Sequence, residues 1–364
     1  MANITSISTL SGDYSLSHAQ MADYLNAVYE DKTVIRKYKA LQKSESLRAK
    51  HSVIPDFQAD CKKPVLYKSK DFQPGTAERM LVYEKESVGL AFAVSEDVIS
   101  KAGLQKKNIT HIITVSCTGF SAPGVETLLL EKLGLEKRVK RLSVNFMGCY
   151  AAFHGMYLAD LICKAEPTAQ VLMVCVELCS LHFRKDNSDD NILSTYLFSD
   201  GAAAFIISNN IPLKGQYLSC FSFDSLLIPE GKNDMKWHIG NNGFEMKLSR
   251  NVPVHIENNI AKGFDDFLLK NGLGRAQIAH YAIHPGGKNI LKAFERALAL
   301  PAERIKESYA ILQDYGNMSS ATILFVLQKI LENTLGSKEG GYLYAAAFGP
   351  GLTVESGLFK LIKN

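Results

Sequence analysis

The chain has 364 residues, 46% of them hydrophobic and 21% charged, with a formal net charge of +4. That is the balance of an ordinary globular protein with one large domain or two closely packed ones; acids and bases are mixed, and the lack of a basic tract or recognition motif argues against nucleic-acid binding. The seven cysteines are irregularly spaced with no CxxC pair, which excludes a zinc knuckle or redox motif and favours free thiols in a reducing compartment.

The start, MANITSISTLSGDYS, has no basic segment followed by an apolar one, so no signal peptide is expected. The longest apolar runs, VLMVCVEL and AAAFII, are far too short to span a membrane, and the expected compartment is the cytoplasm. Helical spacing runs over 76–100 and 124–135, with apolar strand-like runs at 111–117 (HIITVSC) and 141–146 (RLSVNF). A small-residue helix pattern follows at 149–163, then strand-like runs at 171–177 (VLMVCVE) and 202–208 (AAAFIIS). The second part of the chain has helical patterns at 256–271, 288–298 and 318–333, and strand-like runs at 280–284 (HYAIH), 308–312 (SYAIL), 341–348 and 352–361. Continuous apolar runs suit strands buried on both faces, and their alternation with helices predicts an α/β fold.

The order strand, glycine turn, small-residue helix occurs in SVNFMGCYAAFHGMYLA and again in SYAILQDYGNMSSATILFVL. This echo predicts two similar α/β halves, 1–210 and 211–364. Each copy places one polar residue directly after the turn glycine: Cys149 in the first and Asn317 in the second.

Cys149, at a helix start, is where free backbone N–H groups and the helix dipole favour a thiolate. His284 ends an apolar run and is followed by Pro-Gly-Gly, at the kind of strand end where open α/β sheets bind ligands. Taken singly, each residue has an ordinary explanation: a buried structural thiol, a hydrogen-bonded turn histidine, an asparagine helix cap. Taken together they are a nucleophile, a base and a polarising amide, a set that fits acyl transfer through a thioester. No cluster shows metal-ligand spacing, so no metal is expected, and FGPGL (348–352) lacks the pattern of a phosphate loop.

The contexts of these residues carry a resemblance. MGCYAAFHG around Cys149, IHPGG around His284, DYGNMSSATILFVL around Asn317, FGPGLTVE near the C-terminus and LFSDGAAAFIIS around Phe198 are similar to the type III polyketide synthases, the chalcone-synthase-like branch of the thiolase superfamily. The similarity runs from about residue 4 to 361. It implies a thiolase fold, two α/β halves in a five-layered αβαβα arrangement, and a homodimer. It implies iterative decarboxylative Claisen condensation of malonyl-CoA onto a CoA-derived starter acyl group held on Cys149, then cyclisation to an aromatic or pyrone product. CoA thioesters are substrates, and no cofactor is implied. His284 would hold Cys149 as thiolate and, with Asn317, donate to the malonyl thioester oxygen. Two alternatives use the same residues: a ketoacyl-synthase-III-like single condensation, and a Cys-His-Asn acyl-CoA hydrolase.

The resemblance also assigns a cavity. Phe198 aligns with a gate phenylalanine, and Met246 with a second gate phenylalanine that it replaces; Phe244, two residues away, competes for that position. Cys117, Thr118, Cys179, His182, Trp237 and Ser319 fall at substrate-contacting positions, where His182 and Trp237 would narrow the cavity. Arg48 aligns with a CoA-binding lysine, and Lys50 and Lys288 are further candidates for the CoA phosphates. Starter, number of condensations and ring closure depend on cavity shape, which these motifs do not specify.

Overall fold

A run such as VLMVCVEL leaves a strand no polar face, and its place is the interior of a sheet covered on both sides. The computed structural model describes residues 1–45, 47–69, 71–212, 215–335 and 340–364. In chain order it contains β1 (Asn3–Ser11), β2 (Tyr14–Ser17), α1 (His18–Val28), α2 (Lys32–Glu45), β3 (Ala49–Ser52), α3 (Thr76–Lys101), β4 (His111–Ser116), α4 (Val125–Leu133), β5 (Lys140–Asn145), α5 (Ala151–Ala165) and β6 (Gln170–Leu178). There follow α6 (Asp189–Leu197), β7 (Asp200–Ser208), β8 (Gln216–Leu227), β9 (Met235–Gly240), β10 (Gly243–Leu248), α7 (Val252–Lys270), β11 (Ile278–Ile283), α8 (Lys288–Leu298), α9 (Lys306–Tyr315), α10 (Thr322–Thr334), β12 (Gly341–Gly349) and β13 (Thr353–Lys363).

Nine strands form one mixed sheet in the order β11-β12-β13-β8-β1-β7-β6-β4-β5. The pairs β4–β5, β4–β6 and β11–β12 are parallel and the others antiparallel. The first-half and second-half strands join at β1 and β8 through only the pairs Asn3↔Ser219 and Ile4↔Leu218. The order β4–α4–β5–α5–β6–α6–β7 recurs as β11–α8–α9–α10–β12–β13, with α9 standing where the first copy has β5 and a short turn where it has α6. SYAIL (308–312) is therefore helix and not strand: Ser308, Ile311 and Leu312 are its buried positions, a helical spacing that a five-residue run is too short to reveal.

Alternate residues of the strands enter two separate cores. On β6, Leu172, Val174 and Val176 join a cluster with α3, α7 and α8, while Val171, Met173 and Cys175 join one with α5 and α10. β12 divides the same way, Tyr344, Ala346 and Phe348 against Leu343, Ala345 and Ala347. Helices α5 and α10 thus form an inner layer and α3, α7 and α8 outer ones. The inner position explains why residues 322–327 of α10 are buried on all sides. Among the described residues no helix is long and apolar enough to cross a membrane.

Leu324, with no solvent exposure on α10, should be costly to truncate. Leu324→Ala is expected to lower unfolding free energy by about 2–5 kcal/mol in urea titration, whereas Leu81→Ala on the exposed face of α3 should stay within about 0.5 kcal/mol.

Candidate active site

Cys149 lies between β5 and α5, two residues ahead of the helix's first residue. The turn that delivers it is tight: Phe146 has φ 60° and Gly148 φ 84°. A Cβ at Gly148 would also collide with the Pro350 ring, and one at Gly349 with the Tyr150 ring, so a glycine on each side lets the 348–352 loop close against the nucleophile turn. The thiol is nearly buried, and the Ser319 hydroxyl donates to its Sγ at 3.5 Å. Burial pushes the thiol up to about 11, against the opposing pull of hydrogen bonds from Ser319 and Asn317. The helix start does not outweigh that burial.

His284 follows the last residue of β11 and is anchored by its own N–H, which donates to Ala346 O at 2.8 Å. Its ring is 1% exposed, neither ring nitrogen has a hydrogen-bond partner among the described residues, and burial pulls its pKa down to about 3. Asn317 follows α9. Its backbone N–H donates to Leu197 O at 2.8 Å and its carbonyl accepts from Ser199 N at 2.9 Å, which clamps it to the segment bearing Phe198. Its side-chain Oδ1 accepts from Ser319 N at 2.8 Å, and this use of the oxygen orients the amide so that Nδ2 faces the Cys149 thiol as a donor. Ser319 itself has φ 47°, a second strained residue at the site.

Cys149, His284 and Asn317 come together on one cavity of about 30 Å³. A larger cavity of about 70 Å³ adjoins it. Cys149, Phe198, Met235 and Met246 line both, so they form the junction between the two. Of the two residues the sequence left in competition, Met246 stands at this junction and Phe244 lines the larger cavity alone. Met246 pairs with Trp237 across the β9–β10 hairpin.

The larger cavity contains every other expected substrate contact: Cys117, Thr118, Cys179, His182, Trp237 and Ser319. His182 stacks on Phe244 with centroids 4.3 Å apart and meets Trp237 edge-on. Its Nδ1 accepts from Phe244 N at 3.0 Å, so Nε2 carries the proton and donates to Thr118 O at 2.7 Å. Burial holds this histidine neutral, with a pKa near 3. Both nitrogens being engaged, His182 offers the cavity ring surface and not a polar atom. Trp237 is fixed by Nε1 donating to Cys117 O at 2.7 Å.

Two residues at the site escaped the sequence reading. Glu177 is fully buried behind the cavity wall and accepts from Cys117 N at 3.0 Å, from the Thr118 hydroxyl at 2.8 Å and from the Ser320 hydroxyl; burial raises its pKa. A charged residue ending the apolar run VLMVCVE was the available signal. Met235 had none, because the β9–β10 hairpin was not anticipated.

The CoA candidates separate. Arg48 is exposed, pairs with Asp314 at 2.8 Å and lines neither cavity. Lys288 is the first residue of α8, half-buried, between the small-cavity residues Gly286 and Ile290. Lys50 does not stand on a surface where phosphates could reach it. It is a buried part of the larger cavity's wall, because alternate residues of β3 point inward.

The chain matches the family described as chalcone and stilbene synthases, N-terminal domain, over residues 1–211 and C-terminal domain over residues 221–363. It is 33% identical over 297 residues to the Mycobacterium tuberculosis protein named alpha-pyrone synthesis polyketide synthase-like Pks18, covering 80% of this chain and 75% of that one. It is 34% identical over 295 residues to polyketide synthase 37 of Dictyostelium discoideum, covering 79% of this chain but spanning only 10% of that much longer protein. Among solved structures, PKS-I of the brown alga Ectocarpus siliculosus superposes with TM-score 0.94 at 28% identity, covering 99% of this chain and 98% of that one. The 1,3,6,8-tetrahydroxynaphthalene synthase of Streptomyces coelicolor superposes with TM-score 0.87 at 25% identity, covering 100% of both chains.

Gly148→Ala forces a Cβ into Pro350 at a positive φ. It is expected to cost about 1–3 kcal/mol in urea unfolding and to reduce alkylation of Cys149 in the folded protein.

Proposed function

The chain belongs to the chalcone and stilbene synthase family and is a type III polyketide synthase, an acyltransferase, and from that premise we propose that Cys149, His284 and Asn317 are its catalytic residues. The observation that carries this reading is their convergence on one small buried cavity, with Cys149 at its junction with a larger one.

In loading, the Cys149 thiol gives its proton to a free His284 ring nitrogen, and the thiolate attacks the carbonyl of the starter acyl-CoA. The C–S bond to CoA breaks and the acyl group stays on Cys149 while CoA takes up a proton. Malonyl-CoA then enters the smaller cavity, where the His284 N–H and Asn317 Nδ2 donate to its thioester oxygen. Loss of CO2 leaves an enolate whose oxyanion these donors stabilise in a water-poor site. The enolate carbon attacks the acyl-Cys149 carbonyl, the Cys149 sulfur departs, and the lengthened chain, now on CoA, returns to Cys149 for another round. A neutral imidazole suits both steps, having one acceptor for the thiol proton and one donor for the oxyanion. The larger, mainly apolar cavity is the space for the acyl chain, with Phe198 and Met246 as its gate and Ser319, Cys117, Thr118, Cys179, His182 and Trp237 in its wall.

Lys288 is the basic residue best situated for a CoA phosphate, and Arg48, tied to Asp314, is the weaker candidate. We place the protein in the cytoplasm as a homodimer. The exposed edge strand β5 and the half-exposed Phe120, Leu142, Tyr157 and Leu161 support self-association.

Incubation with malonyl-CoA and a panel of acyl-CoAs should yield CO2 and products extended more than once; a single condensation, or free acid without malonyl consumption, would overturn the reading. Asn317→Ala should lower condensation about 10²–10³-fold, as for loss of one oxyanion donor, while leaving acyl transfer to Cys149 far less affected.

The free enzyme should hold the thiol and imidazole neutral at pH 7, because burial raises one to about 11 and lowers the other to about 3. Iodoacetamide alkylation of Cys149 should therefore accelerate about tenfold per pH unit above neutrality, since only the thiolate reacts. A rate already level at pH 7 would reveal a standing thiolate–imidazolium pair instead.

A further inference from the structure

The wall of the larger cavity contains one charge that, among the described residues, makes no ion pair. Lys50 on β3 is 6% exposed and lines that cavity. Among the described residues its ammonium makes one hydrogen bond, to the carbonyl oxygen of Thr195 in the last turn of α6, and no ion pair. Asp200 is the carboxylate whose charge reaches it. That carboxylate is already occupied by Ser180 N at 2.7 Å, the Ser180 hydroxyl at 2.6 Å and Val53 N at 2.9 Å. An ammonium has three donors, so two of Lys50's stay open beside an apolar space bounded by Leu16, Met21 and Phe57. Burying such a group is costly unless an acceptor meets it.

The position relative to the reacting end gives this charge a use. Cys149, Cys179 and Lys50 all line this one cavity, so an acyl chain fixed to Cys149 and filling it shares the space with the ammonium.

On the polyketide synthase reading, on which this inference rests, we propose that Lys50 is a specificity-determining residue whose ammonium donates a hydrogen bond to an oxygen of the acyl chain held on Cys149. The acceptor is either a keto oxygen installed by extension or an oxygen the starter already carries; the chemistry is the same. Lys50 thereby selects chains with an oxygen at that depth and fixes how far they slide into the cavity. It stands apart from the bond-making groups and does not touch the reacting atoms.

The test uses the full chain with Lys50→Met, which keeps the stem and removes the donors, and Lys50→Gln, which keeps a neutral donor and serves if the first variant does not fold. The probes are hexanoyl-CoA and 5-oxohexanoyl-CoA, with and without malonyl-CoA. Intact-protein mass spectrometry reads acylation of Cys149, and chromatography with mass detection reads product length. Acylation by hexanoyl-CoA should stay within about twofold of wild type, while one other arm falls at least about tenfold, the size expected for a hydrogen bond to a charged donor. A fall in acylation by 5-oxohexanoyl-CoA identifies a starter oxygen; a fall in products beyond the first condensation from hexanoyl-CoA identifies a keto oxygen. Folded variants that match active wild type in both arms, or that lose hexanoyl transfer equally, overturn the proposal and leave Lys50 as a brace for the end of α6. Wild type that accepts neither thioester and makes no product would contradict the underlying function, and this inference with it.

Discussion

Desolvation at the junction of two cavities is the constraint on which the rest depends. Water-poor surroundings push the Cys149 thiol pKa up, to about 11, and the His284 imidazole pKa down, to about 3. On the proposed mechanism the same surroundings would make a hydrogen bond from His284 or Asn317 to a developing oxyanion far stronger than it is in water. Among the described residues neither His284 ring nitrogen has a hydrogen-bond partner, and Asn317 Nδ2 faces the Cys149 thiol.

The fold builds this dry junction by repeating one chain order. β4–α4–β5–α5–β6–α6–β7 delivers Cys149 ahead of α5, and β11–α8–α9–α10–β12–β13 delivers Asn317 ahead of α10, so both polar residues enter the site from the inner helix layer. His284 arrives from the end of β11, and the 348–352 loop closes against the Cys149 turn through Pro350 and Gly349. Asn317 is bonded backbone to backbone to Leu197 and Ser199, which flank Phe198, so Phe198 and Asn317 are held side by side. Behind the cavity, Glu177 gathers Cys117, Thr118 and Ser320 onto one buried carboxyl, which fixes the wall that Trp237 and His182 lean on.

Much of this was legible in the chain because strands buried on both faces read as unbroken apolar runs, as at 111–117, 171–177 and 202–208. Cys149, His284 and Asn317 were legible through their contexts, a glycine or Pro-Gly-Gly beside each. SYAIL misled because five apolar residues fit either a strand or one turn of a half-buried helix, and tertiary packing selected the helix. The β9–β10 hairpin left little trace: its residues are mostly half-exposed, so no apolar period marks it, although it supplies Met235, Trp237 and Met246. Lys50 shows the limit from the other side. A lysine in AKHS reads as surface charge, and only the pairing of β3 with β2, which turns alternate residues inward, makes it part of a cavity.

The central claim is that Cys149 carries the acyl group, and it has a direct measurement. The protein is mixed with an acyl-CoA in the absence of malonyl-CoA, quenched in acid, digested and mapped by mass spectrometry. The account predicts the acyl mass on the peptide containing Cys149, and its loss in Cys149→Ala. Acylation of Cys117 or Cys179 instead, or an unmodified Cys149 in protein that still makes extended products, would contradict it.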